Sequence, residues 1–292
     1  MRTTDRKTRF SPIAQKIAIY AILVLYAIII IFPFSIVVST AFKDWKSAAS
    51  AEFQWISPNG ITMEGFNEVF LYKANPSAAL PTLVKAFFNT LFYILPPTIL
   101  GLLTSSMAAY AFAKLRFRAK NFMYAALLAT MMIPGTITIA SQFSIYDTLG
   151  WVDTPLPLMI PGMFGAAACV FFMRQFFTGI PDSIIEAAKL DGVSYVGIFF
   201  EIMVPLSVPA LIAQGLLGFI GGYNDYFNPL IYLQSSDNYN LQVALKTYAS
   251  VYEKKQNFVM AGTLVALLPT LIIYFIAQDF FIEGIAASGI KG

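Results

Sequence analysis

One polar segment, Ile180–Ala210, places four acids together with prolines and glycines between two long apolar runs. Its sequence, IPDSIIEAAKLDGVSYVGIFFEIMVPLSVPA, holds the acids Asp182, Glu186, Asp191 and Glu201. The chain contains no histidine and a single cysteine, and no apolar run holds a pair of carboxylates. Metal-dependent and nucleophilic chemistry therefore lack their usual groups, and we do not expect this chain to be an enzyme.

The polar segment is predicted to form two short helices that meet at a sharp angle. Ser183 and Glu186 have the spacing of a capping box, and Gly192 can take the left-handed conformation that ends a helix. Ser194 can cap the second helix, and Pro205 marks the start of the next apolar run. Such a segment could simply join two membrane spans, or it could dock against a soluble partner. The residues alone leave both possibilities open.

The composition is that of an integral membrane protein. Of the 292 residues, 58% are hydrophobic and 12% are charged, whereas a soluble domain carries about 25% charged residues. Six runs without Asp, Glu, Lys or Arg each reach the roughly 20 residues that a helical span needs. They lie between Lys16 and Lys43, Lys85 and Lys114, Lys120 and Asp147, Asp153 and Arg174, Glu201 and Asp225, and Lys255 and Asp279. We therefore predict an all-α integral membrane protein with six transmembrane helices.

The basic residues predict the orientation of these helices. Residues 1–16 hold five of them, and the connection KLRFRAKN after the second run holds four. All six arginines fall on the side of the membrane that these two segments define. The positive-inside rule then places both termini and the polar segment in the cytoplasm. The net charge of +3 reflects this topology, so we expect contact with membrane lipid and none with nucleic acid.

The first apolar run could also be a signal peptide, because basic residues precede it and the small residues Ser39-Thr40-Ala41 lie near its end. Its apolar core, between Lys16 and Lys43, is longer than the roughly 7–15 residues of a signal peptide. We therefore predict an uncleaved membrane anchor.

The polar segment resembles the EAA motif of permease subunits from binding-protein-dependent ABC importers. That motif reads E-A-A, three residues, G, nine residues and I-x-L-P. This chain has EAA at 186–188, glycine at 192 and IMVP at 202–205, so that Val204 replaces the usual leucine. A match at these fixed spacings, just before the fifth apolar run, is specific.

Two further stretches resemble the carbohydrate-uptake branch of this family: NTLFYIL…AAYAFAKLRF in the second run and FIEGIAASGIKG at the end. Taken together, the chain resembles the smaller permease of the maltose transporter over essentially its whole length. The stretch YNDYFNPLIYL differs, because Tyr223-Asn224 stands where such permeases usually have a tryptophan-asparagine pair.

The resemblance implies a type I ABC importer permease fold in three parts. Residues 1–82 would form the basic tail, the first span and an outer loop. Residues 83–282 would form a five-span core with a cytoplasmic coupling loop at 180–210, and residues 283–292 a cytoplasmic tail.

The resemblance also implies partners and a location in the inner or plasma membrane of a prokaryote. The chain would pair with a second homologous permease, two ATPase subunits and an extracytoplasmic solute-binding protein, and would carry a sugar. ATP and Mg²⁺ would bind to the ATPases, and this chain would bind no cofactor or metal directly. The nearest approach to a Walker A loop, Gly284–Gly289, has the wrong spacing.

Carried over position by position, the motif implies roles for five residues at the ATPase. Glu186 would make a polar contact, Ala187 and Ala188 would pack in the ATPase cleft, Asp191 would brace the helix and Gly192 would set its angle. The C-terminal tail of the family reaches toward the ATPase dimer interface. The matching residues here are Gly289, Lys291 and Gly292.

On the opposite side of the membrane, Asn224, Asp225 and Asn228 could line a sugar path, because amides and carboxylates recognise sugars. The same groups could instead cap a broken helix. The loop at 234–257 lies where the family inserts a loop into its binding protein, although a plain solvated loop fits the sequence nearly as well. The candidate contacts in it are Tyr239, Asn240, Gln242 and Tyr248.

Two other classes of transporter remain as alternatives. The chain could be an ABC importer permease for a solute other than a sugar, which the carbohydrate-like stretches disfavour. It could also be an ion-coupled secondary transporter. The absence of charges inside the six runs and of any histidine argues against proton coupling, but not against sodium sites built from carbonyls.

Overall fold

The computed structural model describes residues 12–289, and within that range its regular secondary structure is entirely helical. The helices are α1 (Pro12–Ala41), α2 (Trp45–Ala48), α3 (Glu64–Val69), α4 (Thr82–Lys114), α5 (Lys120–Thr130), α6 (Gly135–Thr148), α7 (Leu156–Met163), α8 (Ala167–Gly179), α9 (Asp182–Leu190), α10 (Tyr195–Ile198), α11 (Val204–Leu206), α12 (Val208–Tyr223), α13 (Phe227–Tyr232), α14 (Leu241–Val251) and α15 (Gln256–Gly289). A π-helical turn, Phe199–Met203, joins α10 to α11.

Within the described range, four stretches are long and apolar enough to cross a membrane: Gln15–Ala41, Thr82–Lys114, Leu156–Gly179 and Gln256–Gln278. Two bent helix pairs pass the same test, one broken by 91° between α5 and α6 and one by 81° between α11 and α12. If each bent pair counts as one span, the total is six, in agreement with the six apolar runs.

The break between α5 and α6 lies at Pro134 and Gly135. Pro134 precedes α6 with an extended ψ of 125°, and Gly135 is the first residue of that helix. Proline has no N–H to donate and disfavours a helical conformation in the residue before it. By contrast, α4 continues through Pro96 and Pro97 without a break in its helical assignment.

The chain forms two compact units. The first comprises Met1–Val69 and Val251–Leu264, of which residues 1–11 lie outside the described range. Its interior is organised by Asn257, which is fully buried and whose Nδ2 donates to Lys43 O at 3.0 Å and to Glu64 Oε2 at 3.3 Å. The same carboxylate oxygen accepts from Trp45 N, so that one amide and one acid connect three segments of this unit.

The second unit comprises Phe70–Ser250 and Val265–Gly292, and α4 is its central helix, packed against α7, α8 and α12. The closest approach is between α4 and α7, where a Cβ added to Gly101 would lie 2.3 Å from Gly162 O. The spacing of Gly215, Gly218 and Gly222 in α12 predicted close packing there. Only Gly222 is tight, with Ile94 Cγ2 at 3.0 Å from its added Cβ, and the other two leave ordinary contact distances.

A hydrophobic cluster lies where α4, α8 and the polar segment meet. Its buried members are Ala109, Tyr110, Phe112, Val170, Met173, Phe177, Ile180, Ile185, Ala188, Ile198, Phe199, Met203 and Ala210. Because these residues come from both spans and from the polar segment, the segment packs onto the ends of the spans over an apolar interface.

The contact between Gly101 and Gly162 gives a stability prediction. We expect Gly101→Ala to lower the thermal unfolding midpoint of the purified protein, because the new methyl group overlaps a backbone oxygen that cannot rotate away. Overpacking of this kind costs about 1–3 kcal/mol. Gly215→Ala is the matched control, because its Cβ would lie 3.5 Å from Leu102 Cδ2. Equal midpoints for the two variants would contradict the assigned close approach.

Candidate functional sites in the polar segment and a polar cavity

The first helix of the polar segment, α9, begins two residues earlier than the capping box requires. Asp182 is its first residue and Pro181 is the N-cap, which makes no side-chain capping bond. The predicted box between Ser183 and Glu186 is therefore wrong, because Ser183 already lies inside the helix. The start of α9 is instead held by Lys114, the last residue of α4, whose Nζ donates to Asp182 Oδ1 and to Ile180 O, each at 2.6 Å.

The end of α9 has the geometry expected from its glycine. Gly192 has a φ of +80°, which glycine adopts without strain. Its N–H donates to Lys189 O at 3.1 Å, and the N–H of Val193 donates to Ala188 O at 3.0 Å. These two bonds form a Schellman motif, so Gly192 determines where α9 ends and how the chain turns toward α10. This is the geometry that the sequence predicted for Gly192, while its role at an ATPase remains a prediction.

The two sides of α9 have different neighbours. Ile185 and Ala188 are buried in the hydrophobic cluster. Ile184, Ala187 and Leu190 form a stripe at a spacing of three residues on the other side, and Leu190 is 89% exposed. In this conformation Ala188 packs inside its own subunit, and its contact with an ATPase stays a prediction. Ala187 is exposed and free to contact a partner.

Charged side chains surround the exposed stripe of α9. Asp182, Glu186, Lys189 and Asp191 are all exposed, so this helix is too polar for hydrocarbon. The hydrogen bond from Lys114, together with its positive charge, lowers the pKa of Asp182 below its ordinary value. A cleft of about 410 Å³ beside the helix is lined by Lys114, Leu115, Arg116, Phe117, Asp182, Ile185, Glu186, Lys189 and Tyr195. The exposed side of α9 thus combines an apolar stripe with charges of both signs, the chemistry of a docking surface.

The second half of the polar segment continues into the fifth span. The hydroxyl of Ser194 accepts from Gly197 N at 3.1 Å, which confirms it as the cap of α10. The N–H of Val204 then donates to Phe199 O, five residues back. Pro205 follows directly and has no N–H to offer the preceding turn, which accounts for a π-helical turn at this point.

A polar cavity of about 430 Å³ lies at the opposite end of α12 from the polar segment. Small-molecule sites have volumes of about 300–1,000 Å³. The polar side chains that line the cavity are Thr90, Tyr93, Thr98, Gln142, Tyr146, Asp225, Asn228, Tyr232 and Asn240. Of the predicted path residues, Asp225 and Asn228 line the cavity. Asn224 is not among its lining residues and instead donates from Nδ2 to Ile220 O at 2.9 Å.

Asp225 also caps a helix, which confirms that interpretation of the sequence, while the sugar path stays a prediction. Asp225 Oδ1 accepts from the backbone N–H groups of Phe227 at 3.1 Å and Asn228 at 3.2 Å. Its Oδ2 accepts from Asn228 Nδ2 at 2.8 Å. The carboxylate therefore satisfies the free donors at the start of α13 and remains at the cavity wall.

Sequence reasoning missed Gln142 and Tyr146, which reach the cavity from α6. Tyr146 and Tyr232 have ring centroids 5.3 Å apart, and the Tyr232 hydroxyl donates to Gln142 Oε1 at 3.4 Å. The available signal was the polar side chain of Gln142 inside the third apolar run. Tyr223, at the position where the sequence departs from the family, is buried and donates from its hydroxyl to Ala266 O at 2.8 Å.

The loop at 234–257 is more buried than its composition predicted. Asn240 donates to Asp225 O at 2.7 Å and caps α14 through Val243 N, while Gln242 Nε2 donates to Tyr223 O at 3.2 Å. Asn240 and Tyr248 are 3% and 0% exposed in this conformation, whereas Tyr239 and Gln242 are half-buried. Contact of these residues with a binding protein stays a prediction.

The start of this loop is held by a carboxylate that the sequence did not single out. Asp153, at a φ of +60°, accepts from Gln234 N at 2.9 Å, from Ser235 N at 2.8 Å and from the Ser235 hydroxyl. Burial opposes its ionisation, but these hydrogen bonds prevail and lower the pKa of Asp153 to about 2. A salt bridge of 2.6 Å between Lys85 and Asp237 holds the next turn to α4. The loop is thus anchored by ionised groups at two points.

The predicted tail contacts lie at the limit of the described chain. Gly289 is the last residue of α15, and Lys291 and Gly292 fall outside the described residues. The tail contact remains a prediction.

Comparison with known proteins identifies the family. The model of the family "Binding-protein-dependent transport system inner membrane component" matches residues 98–286. The arabinooligosaccharides transport system permease protein AraQ of Halalkalibacterium halodurans is 34% identical over 70% of this chain and 74% of its own length. The lactose transport system permease protein LacG of Rhizobium radiobacter is 34% identical over 69% and 74%.

A solved bacterial ABC transporter involved in the import of the acidic polysaccharide alginate contains a chain with the same fold. The TM-score is 0.77 at 24% identity, over 93% of this chain and 99% of that one. The chain described here belongs to the family of inner membrane components of binding-protein-dependent transport systems. It is a multi-pass membrane permease of an ABC importer, works with an ATPase and a binding protein, and is not itself an enzyme.

The two sides of α9 can be tested with a matched pair of substitutions. We expect Ala188→Leu to lower the thermal unfolding midpoint of the purified subunit, because the larger side chain must enter a packed cluster, at a cost of about 1–3 kcal/mol. Ala187→Leu places the same side chain one residue away on the exposed stripe and should leave the midpoint unchanged. If Ala187→Leu destabilises the subunit as much as Ala188→Leu does, the assignment of the two sides is incorrect.

Proposed function

We propose that this chain forms one half of a heterodimeric translocation path for a sugar or oligosaccharide. In this proposal both termini and the polar segment lie in the cytoplasm, and a second homologous permease supplies the other half of the path. Two ATPase subunits bind ATP and Mg²⁺, and an extracytoplasmic binding protein delivers the sugar. The docking of the polar segment to the ATPases couples ATP binding to the movement of the spans.

The observation that carries this proposal is the exposed apolar stripe of α9, formed by Ile184, Ala187 and Leu190. A helix that buries one apolar side in its own subunit and exposes a second one among charged residues has a surface for a partner. The Schellman turn at Gly192 fixes its direction. ATP can drive the spans only if it binds one conformation of the whole complex better than another, and a rigid docking helix can transmit that difference.

The sugar cargo is supported by the polar cavity and by the relatives. Carboxylate, amide and phenol groups from Asp225, Asn228, Gln142 and Tyr146 converge on one cavity, and such groups can recognise hydroxyls. AraQ and LacG, by name, transport arabinooligosaccharides and lactose. A sugar is therefore favoured over other solutes of ABC importers.

The assembly is tested by purifying the tagged chain in mild detergent from native membranes and identifying what it retains by mass spectrometry. We expect an ATPase with Walker motifs and a second permease. Recovery of the chain alone, even after crosslinking, would contradict the proposal and favour an ion-coupled carrier. If the ABC complex is recovered but takes up a solute other than a sugar, the proposed cargo is wrong and the proposed assembly stands.

The coupling role predicts the effect of two substitutions. Glu186→Lys reverses a charge on the docking surface, and Gly192→Asp forces a side chain into the left-handed conformation at the turn. We expect both variants to insert and to accumulate normally but to lose sugar-dependent uptake and to bind the ATPase weakly. Uptake assays and detergent pull-downs measure the two effects. Normal uptake by both variants would rule out docking through this surface.

The sugar path predicts a difference between two asparagines. Asn228→Ala removes an amide from the cavity wall, and we expect the KM for uptake to rise about tenfold, the effect of losing one hydrogen bond of about 1.4 kcal/mol. Asn224→Ala removes a neighbouring amide that does not line the cavity and should leave the KM unchanged. A KM that rises equally in both variants would argue against this cavity as the path.

A further inference from the structure

The end of α4 is held by basic side chains from three parts of the chain. The last carbonyls of a helix have no partner within it and carry partial negative charge, which cations stabilise. Arg174 Nε donates to Phe112 O at 3.2 Å, and its guanidinium lies 4.1 Å from the centroid of the Tyr124 ring. Lys120 Nζ donates to Leu115 O at 2.9 Å and to Ala113 O at 3.4 Å.

Lys114 is the exception among these cations, because its acceptors lie outside α4. Its ammonium group contacts Ile180 O and Asp182 Oδ1, which are the residues that lead into the docking helix α9. The side chain of Lys114 is only 5% exposed, whereas that of Asp182 is 76% exposed. A lysine buried to this extent is held in one position by its packing and its two acceptors.

The contact of Lys114 connects α9 to a helix, α4, that also lines the polar cavity. The helix ends at Lys114, and further back it supplies Thr90, Tyr93 and Thr98 to the wall of the polar cavity. A displacement of α9 that is passed on through Lys114 would therefore move a wall of that cavity. The hydrophobic cluster also joins α9 to the spans, but apolar contacts permit sliding that a directional, charge-assisted bond resists.

We propose that Lys114 is a positioning residue that links the docking helix α9 to α4, so that movement at the ATPase reaches the polar cavity. The proposal rests on the proposed docking of the polar segment to an ATPase. In this proposal the side chain of Lys114 transmits the movement of α9 to the second span, α4.

The test compares three variants in the complete complex, reconstituted in lipid nanodiscs with its ATPase and binding protein. Lys114→Met keeps an unbranched side chain of similar length and removes both bonds. Lys114→Arg keeps donors for both acceptors. Lys120→Met is the matched control, because Lys120 donates its hydrogen bonds to the same helix end and its charge acts on Asp182 without a hydrogen bond to it.

The main measurement is the stimulation of ATP hydrolysis by the loaded binding protein, normalised to assembled complex. We expect the stimulation to fall about tenfold in Lys114→Met, the loss that follows removal of a hydrogen bond to a charged group. Lys114→Arg should restore most of it, and Lys120→Met should retain it. Wild-type stimulation in Lys114→Met, or an equal loss in Lys120→Met, would overturn the proposal.

A second measurement separates this proposal from the proposed function. Amide hydrogen exchange of residues 182–190, measured on the isolated subunit in nanodiscs, requires no ATPase. We expect faster exchange in Lys114→Met and wild-type exchange in Lys120→Met. If exchange is unchanged in Lys114→Met, the link is refuted whatever the ATPase does. If exchange is faster but the wild-type subunit binds no ATPase, the proposed function fails and the link between α4 and α9 stands.

Discussion

The last carbonyls and the first N–H groups of a helix have no partner within it, so other groups must supply one. This constraint accounts for the polar side chains at the helix ends and breaks of this permease. Lys114, Lys120 and Arg174 gather where α4 ends and the polar segment begins. At the break after α12, Asn224 donates to a carbonyl of that helix and Asp225 accepts from the first N–H groups of α13. Two of these groups, Lys114 and Asp225, also line the two candidate sites.

The two sites lie at opposite ends of α12 and share α4. Near one end of α4, polar residues line a cavity, and at its other end Lys114 contacts the start of the docking helix. Between them, the Gly101–Gly162 approach brings α4 and α7 into backbone contact. Close-packed protein interiors resist compression. A displacement of α9 at Lys114 can therefore be transmitted along α4 to the residues of α4 that line the cavity.

Much of this arrangement could be predicted from the sequence. The runs without charge predicted the spans, and Gly192 predicted the turn at the end of α9. These features are local, because each depends on a run of composition or on the conformational limits of one residue. The family itself followed from the motif and was confirmed by the comparisons.

The features that escaped prediction depend on contacts between distant residues. Both sides of α9 are apolar, so the sequence could not show that Ala188 faces the subunit and Ala187 faces outward. The loop at 234–257 has the amides and tyrosines of a solvated surface, yet Asn240 is buried against Asp225. Lys114 belongs to a basic connection from which the sequence predicted the orientation in the membrane. Its contact with Asp182 became visible only with the fold.

The central claim is that the exposed stripe of α9 docks to an ATPase, and site-specific crosslinking tests it most directly. Leu190→Cys and Ala188→Cys would each be introduced into a Cys169→Ala background. Native membranes that contain each variant would be treated with a benzophenone maleimide and irradiated. The crosslinked products would then be identified by mass spectrometry. The account predicts an adduct with a Walker-motif ATPase from Leu190→Cys and none from the buried position 188. An ATPase adduct from position 188, or its absence at position 190 in a complex that still contains the ATPase, would contradict the account.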